Sequence, residues 1–295
     1  MIFMNDLKFS IIIPTYNRAA LLKRCLQSVT VQTYSNWEAI VVDNYSEDNT
    51  EEVVGSFNDC RIKYIKNHNY GIIAVSRNKA IDMATGDWIC FLDSDDCWFK
   101  NKLERMLDYV DNYDLIYHGY RKNIKRTKLF QRMNSYFYEI KNPPIPYVLL
   151  RGDPINPSCS CVSRKALGNI RFCEDRKFVA CEDYDFFLQI LSSGATWKYL
   201  REIYTLYDMS GCSHDEGIFI RDRELYKKWS VYLNDEQKKE LQYMEILRKA
   251  DFYRANSKFY EAMSFYIKLF GSRMFDKHLK ALKGLILCFL RLSLM

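Results

Sequence analysis

A chain of 295 residues, 48% hydrophobic and 27% charged, has a globular composition that excludes wholesale disorder. Its length suits one large α/β domain, or one such domain with a smaller appendage. The net charge of +6 is too mild to require nucleic acid, which is not expected as a partner.

Ten cysteines form no CxxC pair and no His/Cys cluster at zinc spacing, so thiols in a reducing compartment are expected. The opening MIFMNDLKFSIIIP is interrupted by Asn5, Asp6 and Lys8 and is not expected to act as a signal peptide. No apolar run reaches the roughly 18–20 residues that a spanning helix needs.

In chain order, FSIIIP (9–14) reads as a buried strand and AALLKRCLQSVTVQ (19–32) as a helix with Leu22, Cys25, Leu26 and Val29 on one face. WEAIVVD (37–43) is a second strand, DNTEEVVGSF (48–57) a short acidic helix, and RIKYIKN (61–67) a third strand. AVSRNKAIDMATG (74–86) predicts a helix with Gly86 past its end, and DWICFLD (87–93) a fourth strand. Strands alternating with helices predict βαβ units and a mostly parallel sheet covered on both faces.

The middle is less regular. FKNKLERMLDYVD (99–111) reads as a helix and LIYHGY (115–120) as a strand, while the proline-bearing 121–157 predicts a hairpin and loops. CSCVSR (159–164) and WKYLREIYTLY (197–207) read as strands around a helix at EDYDFFLQILSSG (182–194), whose acids suit a helix N-terminus. From about 218 the pattern is helical throughout. The expected division is therefore an α/β region at 1–215 and a C-terminal α-helical region at 216–295, the latter a candidate membrane-surface or oligomerisation element.

Three predicted strands end in polar clusters: TYNR at 15–18, DNYSED at 43–48 and DSDD at 93–96. In parallel sheets ligands bind beyond the carboxyl ends of the strands, so these clusters share one ligand edge. Asp93, Asp95 and Asp96 repel one another unless they are solvated or given a cation. A hard cation such as Mn²⁺ or Mg²⁺ takes oxygen ligands and needs only one or two carboxylates when phosphates supply the rest.

Together PTYNR, the strand ending in Asp43 with its polar turn, the RN pair at 77–78, and FLDSDD resemble a family 2 glycosyltransferase of the GT-A fold. The resemblance is strong over about residues 8–100 and weaker over 158–207. It implies a GT-A-type, Rossmann-like sandwich with a mixed sheet, and an inverting, metal-dependent transfer from a nucleotide-sugar donor. It also implies that Pro14, Thr15, Tyr16 and Asn17 meet the nucleotide and that Asp43 accepts from the uracil N3–H of a UDP-sugar. Arg77 would lie near the base and diphosphate, Asp93 on the ribose or metal side, and Asp95 on the cation. The turn DNYSEDNT departs from the family pattern, with Asn44 and Tyr45 where an acid and a glycine are more frequent.

An inverting transfer needs a base to take the acceptor proton. In the family an ED pair opens a later helix, which points to Asp183 as base, Glu182 placing the acceptor or the base, and Asp185 as the alternative. Trp98 is expected to offer a ring face to the sugar or acceptor, and His214 to approach the metal. The implied acceptor is a glycan, lipid-linked in many relatives, in bacterial surface polysaccharide synthesis.

Two other readings predict different sequences. A sugar nucleotidylyltransferase would carry a glycine-rich loop after the first strand, and PTYNR has no glycine. A non-catalytic nucleotide-sugar-binding relative would lose the acidic turn or the base, and both are present. A dinucleotide-binding oxidoreductase is disfavoured because no GxGxxG opens the first helix. In the tail, Lys277, Lys280, Lys283 and Arg291 share one side of a helix that is otherwise apolar. That pattern predicts peripheral binding to the inner face of the cell membrane by an otherwise cytoplasmic protein, or packing of the helix on its own domain.

Overall fold

The computed structural model describes residues 7–123, 134–135, 137–208, 216–270 and 278–292. β1 (Phe9–Thr15), α1 (Ala19–Thr30), β2 (Trp37–Asp43), α2 (Thr50–Gly55), β3 (Ile62–Lys66), α3 (Ile73–Met83) and β4 (Trp88–Phe91) alternate along the first part of the chain. β1, β2 and β4 are buried at every residue, as near-continuous apolar runs require when helices cover both faces of a sheet. β1 pairs in parallel with β2 from Phe9↔Trp37 to Thr15↔Asp43, and with β4 on its other side. Their polar ends therefore arrive together at one edge.

Next come β5 (Cys97–Trp98), α4 (Lys102–Leu107), β6 (Leu115–Asn123), β7 (Asn134–Ser135), α5 (Pro144–Arg151), β8 (Ser160–Ser163), α6 (Arg164–Leu167), α7 (Glu182–Ser192) and β9 (Trp197–Asp208). The sheet runs β3-β2-β1-β4-β8-β6-β9-β5, with β7 beside β6. β8 is antiparallel to both neighbours, β4 and β6, while β9 is parallel to β6. The alternating pattern of the first strands predicts the parallel part of this sheet, and the mixed α/β sheet as a whole is the one that the resemblance implies. Two reversals restore direction, so β9 ends at the same edge as β1 and β4. Its last residue, Asp208, joins the ligand edge as a further polar strand end.

Gly86 has a different role from the one predicted. α3 stops at Met83 with Ala84 as its cap. A Cβ at Gly86 would lie 2.6 Å from the Lys8 carbonyl oxygen and 2.7 Å from the Ser10 amide nitrogen. The glycine is needed because the chain enters β4 against the backbone of β1.

α5 lies where loops were predicted. Pro143 and Pro144 resemble loop residues, but proline is accepted at the first position of a helix. PIPYVLLR then buries Ile145, Pro146, Val148 and Leu149.

The chain divides into two compact units, Met1–Pro144 with Asp153–Asp215, and Ile145–Gly152 with Glu216–Met295. The second contains α5 together with α8 (Ile218–Trp229), α9 (Asp235–Ala255), α10 (Phe259–Phe270) and α11 (His278–Leu292). A capping box between Asn234 and Gln237 starts α9. Tyr243, Leu247, Ala262, Tyr266 and Cys288 form part of a core shared by α9, α10 and α11. Among the described residues no helix is long and apolar enough to cross a membrane.

Candidate active site

The strand ends of the first unit open into a cleft of about 640 Å³. Of the residues singled out by sequence, Pro14, Thr15, Tyr16, Arg77, Asp93, Asp95, Glu182 and Asp183 line it. Arg18, Asn44, Asn69, Tyr207 and Asp208 line it too.

Arg77, on α3 and almost fully buried, joins the two halves of this cleft. Its Nη2 donates to Asp93 Oδ1 and its Nη1 to Glu182 Oε1, each at 2.9 Å. A planar guanidinium can serve two carboxylates at once, which a lysine cannot. Burial alone would lower the Arg77 pKa, but the charges of Asp93 and Glu182 outweigh it and hold it above the ordinary value. Glu182 opens α7, and α7 is pinned by aromatic packing: Phe186 meets the Phe91 ring edge-on at 5.4 Å and stacks on Phe172 at 4.0 Å. Phe91 immediately precedes Leu92 and the acidic turn, so one cluster sets the distance between the turn and α7.

In the turn, Asp95 accepts from Arg18 Nη1 at 2.5 Å. Burial and the neighbouring Asp93 raise its pKa, with Arg18 opposing. Asp96 is fully buried and accepts the Asp208 amide at 2.8 Å, and burial holds its carboxyl well above the usual range. Asp96 therefore binds the turn to the end of β9.

Asp183 lies in the first turn of α7, its Oδ1 accepting from the Tyr184 amide at 2.8 Å. Burial and Glu182 push its pKa up to about 7, against the pull of Arg77. Asp153 is raised well above the usual range by burial and by Asp183. Asp185 is turned into its own helix, accepting from Gln189.

A resident divalent cation is implied by the acidic turn. Among the described residues no group of three or more His, Cys, Asp or Glu is arranged to hold a metal ion unaided. Asp93 and Asp95 are nonetheless hard oxygen donors on one turn that lines the cleft. That donor set fits a cation whose remaining ligands come from a diphosphate and water.

Three predicted residues lie away from the cleft wall. Asp43 is fully buried and accepts from the Ser46 amide and hydroxyl and from Tyr64 Oη at 2.6 Å. Asn17 donates its amide to Ser46 Oγ and accepts from the Glu47 amide, so both residues brace the two loops behind Thr15 and Tyr16. Trp98 is in the core, its indole N–H on the Ser158 carbonyl. His214 lies outside the described residues.

Sequence reasoning passed over Arg18, Asp153 and Asp208. Arg18 closes TYNR and Asp208 directly follows the strand predicted at 197–207, so both carried a usable signal; Asp153, in an irregular segment, carried none. The unusual turn at Asn44 and Tyr45 also has a structure. Tyr45 and Tyr70 both adopt left-handed backbone (φ 56° and 53°), and His68 stacks on Tyr45 at 3.7 Å.

The profile of glycosyl transferase family 2 matches residues 10–171. The UDP-Glc:alpha-D-GlcNAc-diphosphoundecaprenol beta-1,3-glucosyltransferase WfgD of Escherichia coli is 42% identical over 119 residues, which are 40% of this chain and 47% of that protein. The chain thus spans about half the length of that relative. The enzyme WfaP of Escherichia coli, described by the same activity, is 30% identical over 232 residues, covering 75% of this chain and 84% of that one. Among solved structures, TarS residues 1–349 of S. aureus in complex with UDP has a TM-score of 0.57 at 23% identity, covering 84% of this chain and 81% of that one. A mannosyltransferase of Pyrobaculum calidifontis, in complex with GDP-Man and Mn²⁺, has a TM-score of 0.58 at 16% identity, covering 96% of this chain and 86% of that one. These structural likenesses concern the fold.

Proposed function

The chain belongs to glycosyl transferase family 2, and on that footing we propose an inverting transfer of a hexosyl or N-acetylhexosaminyl group from a UDP-sugar to a hydroxyl of a lipid-linked glycan, in the synthesis of a bacterial surface polysaccharide. One observation carries the reading. Arg77 ties the acidic turn to the first turn of α7, so Asp93, Asp95, Glu182 and Asp183 line a single cleft.

In this reading Thr15 and Tyr16 receive the nucleoside, and Tyr16, half exposed, offers a ring face to the base. Asp95 with Asp93 would hold Mn²⁺ or Mg²⁺, which when bound supplies charge neutralisation for the diphosphate. Asp183, raised to about 7, is a base poised near neutral pH. It takes the proton of the acceptor hydroxyl as that oxygen attacks the anomeric carbon. The bond to the diphosphate oxygen breaks on the opposite face, and the nucleoside diphosphate leaves with the electron pair. Glu182, held by Arg77, fixes the α7 terminus that presents Asp183. The UDP-sugar and undecaprenyl-diphosphate chemistry named for WfgD and WfaP supports the choice of donor and acceptor.

The tail supports a lipid-borne acceptor. Leu282, Ile286, Leu287, Phe289 and Leu290 are exposed on α11, whose sequence has Lys280, Lys283 and Arg291 and no acid. An apolar outer face with only basic charges suits insertion into an anionic interface, giving peripheral attachment to the inner face of the cell membrane.

The test is a panel of nucleotide sugars with Mn²⁺ or Mg²⁺, with and without a lipid-linked acceptor, read by release of nucleoside diphosphate. A UDP-sugar should turn over, Asp95→Ala should abolish the release, and Asp183→Asn should cut transfer by about 10²–10⁴-fold while UDP still binds. Wild-type rates in both variants would refute the site assignment, and no turnover with any donor would refute the function.

A further inference from the structure

Ser158, fully buried between β4 and β9, makes more polar contacts than its place in an irregular segment suggests. It sits in a short 3₁₀ turn, Pro157–Cys159, whose start is capped by Asn156 Oδ1 accepting the Ser158 amide at 2.9 Å. Its hydroxyl accepts the main-chain N–H of Asp93 at 3.0 Å. Its carbonyl accepts three donors: Trp98 Nε1 at 2.9 Å, Lys102 Nζ at 2.9 Å and Thr205 Oγ1 at 2.8 Å. A carbonyl has two lone-pair directions, so three donors saturate it.

These bonds form a closed circuit. From Asp93 it runs through Ser158 to Thr205, along β9 to Asp208, through the Asp208 amide to Asp96, and back by the Asp96 amide to the Asp93 carbonyl at 2.9 Å. Trp98 and Lys102, which follow the acidic turn, are tied to the same carbonyl. Lys102 is fully buried and its ammonium also lies 3.8 Å from the centre of the Trp98 ring. A neutral buried residue thus holds the Asp93 backbone before the turn and the Trp98 and Lys102 side chains after it, in a turn whose carboxylates repel one another.

We propose that Ser158 is the positioning residue of the acidic turn, holding Asp93 and Asp95 at the spacing that a donor diphosphate and its cation need. This inference rests on the reading of Asp93 and Asp95 as the donor site. Ser158 touches no substrate, so its loss acts on binding more than on the bond-making step.

The probe is UDP with Mn²⁺, titrated calorimetrically into the full chain, together with KM and kcat for the UDP-sugar that turns over. Ser158→Ala should weaken UDP–Mn²⁺ binding and raise KM about ten-fold, the scale of one buried hydrogen bond, with kcat within about three-fold. Ser158→Thr, which keeps the hydroxyl, should recover most of the loss. Should Ser158→Ala fail to fold, Thr205→Val removes one arm of the circuit at constant shape and should weaken binding a few-fold. Wild-type binding in every folded variant, or equal loss in Ser158→Ala and Ser158→Thr, would overturn the inference. Asp95→Asn separates the two ideas: if it binds UDP–Mn²⁺ like wild type, the donor-site reading itself fails; if it alone loses binding, only the role of Ser158 does.

Discussion

Replacing Arg77 by methionine removes one buried cation from two carboxylates and keeps most of the side-chain volume. Its partner Glu182 has a side chain only 7% exposed, so that carboxylate is left uncompensated in the interior, which costs about 3–5 kcal/mol. Asp93, 27% exposed, is rehydrated more easily and adds about 1 kcal/mol at most. A loss of about 4 kcal/mol in a unit of this size lowers Tm by roughly 10 °C, measurable by circular dichroism. A second readout concerns the proposed base. Asp183 is held up by burial and Glu182 and pulled down by Arg77, so removing Arg77 raises it above about 7. The rising limb of the transfer pH profile should then move to higher pH. The sign for stability agrees: the folded protein keeps a proton on Asp183 that the unfolded chain releases near pH 4, so this contribution is lost as pH rises to about 7. In the variant that window extends further up. Arg77→Lys should be intermediate, since an ammonium cannot fork to both acids. A folded Arg77→Met with Tm within 2 °C of wild type, as an approximate threshold, and an unmoved pH midpoint would refute the reasoning.

Exchanging Phe289 and Leu290 for aspartate should abolish co-sedimentation with anionic phosphatidylglycerol vesicles without changing Tm appreciably, because both side chains are exposed. Vesicle binding that survives the change refutes the membrane role, and a fall in self-association instead makes α11 an oligomer contact. Gly86→Ala should lower stability by about 1–3 kcal/mol in urea titration, because its Cβ would overlap the β1 backbone at Lys8 and Ser10. An unchanged midpoint would show that β1 and β4 can separate at that point.

The alternation of β1 to β4 with their helices was legible because buried parallel strands leave uninterrupted apolar runs and amphipathic helices a 3.6-residue period. α5 was hidden by its own prolines. The site was legible as a set of strand ends, since position on an edge follows from order along the chain. Which way each side chain faces does not. Asp43 and Trp98 have the chemistry of ligand-binding residues, yet their partners, Ser46, Tyr64 and Ser158, are internal. Ser158 went unassigned for the complementary reason: its weight lies in backbone bonds to segments 47 to 65 residues away, and a lone serine shows nothing of them.

The two reversals around β8 also bear on how the chain folds. β1 with β2 and β2 with β3 pair between near neighbours in sequence, whereas the ligand edge is complete only when Asp208 reaches Asp96, 112 residues away. Contacts of such separation carry the largest loop-closure cost and form late. In refolding, strand and helix signals should therefore recover before nucleotide binding does. Binding of UDP would then report arrival at the native topology, and a nascent chain that has not yet placed β9 would be screened from engaging its donor.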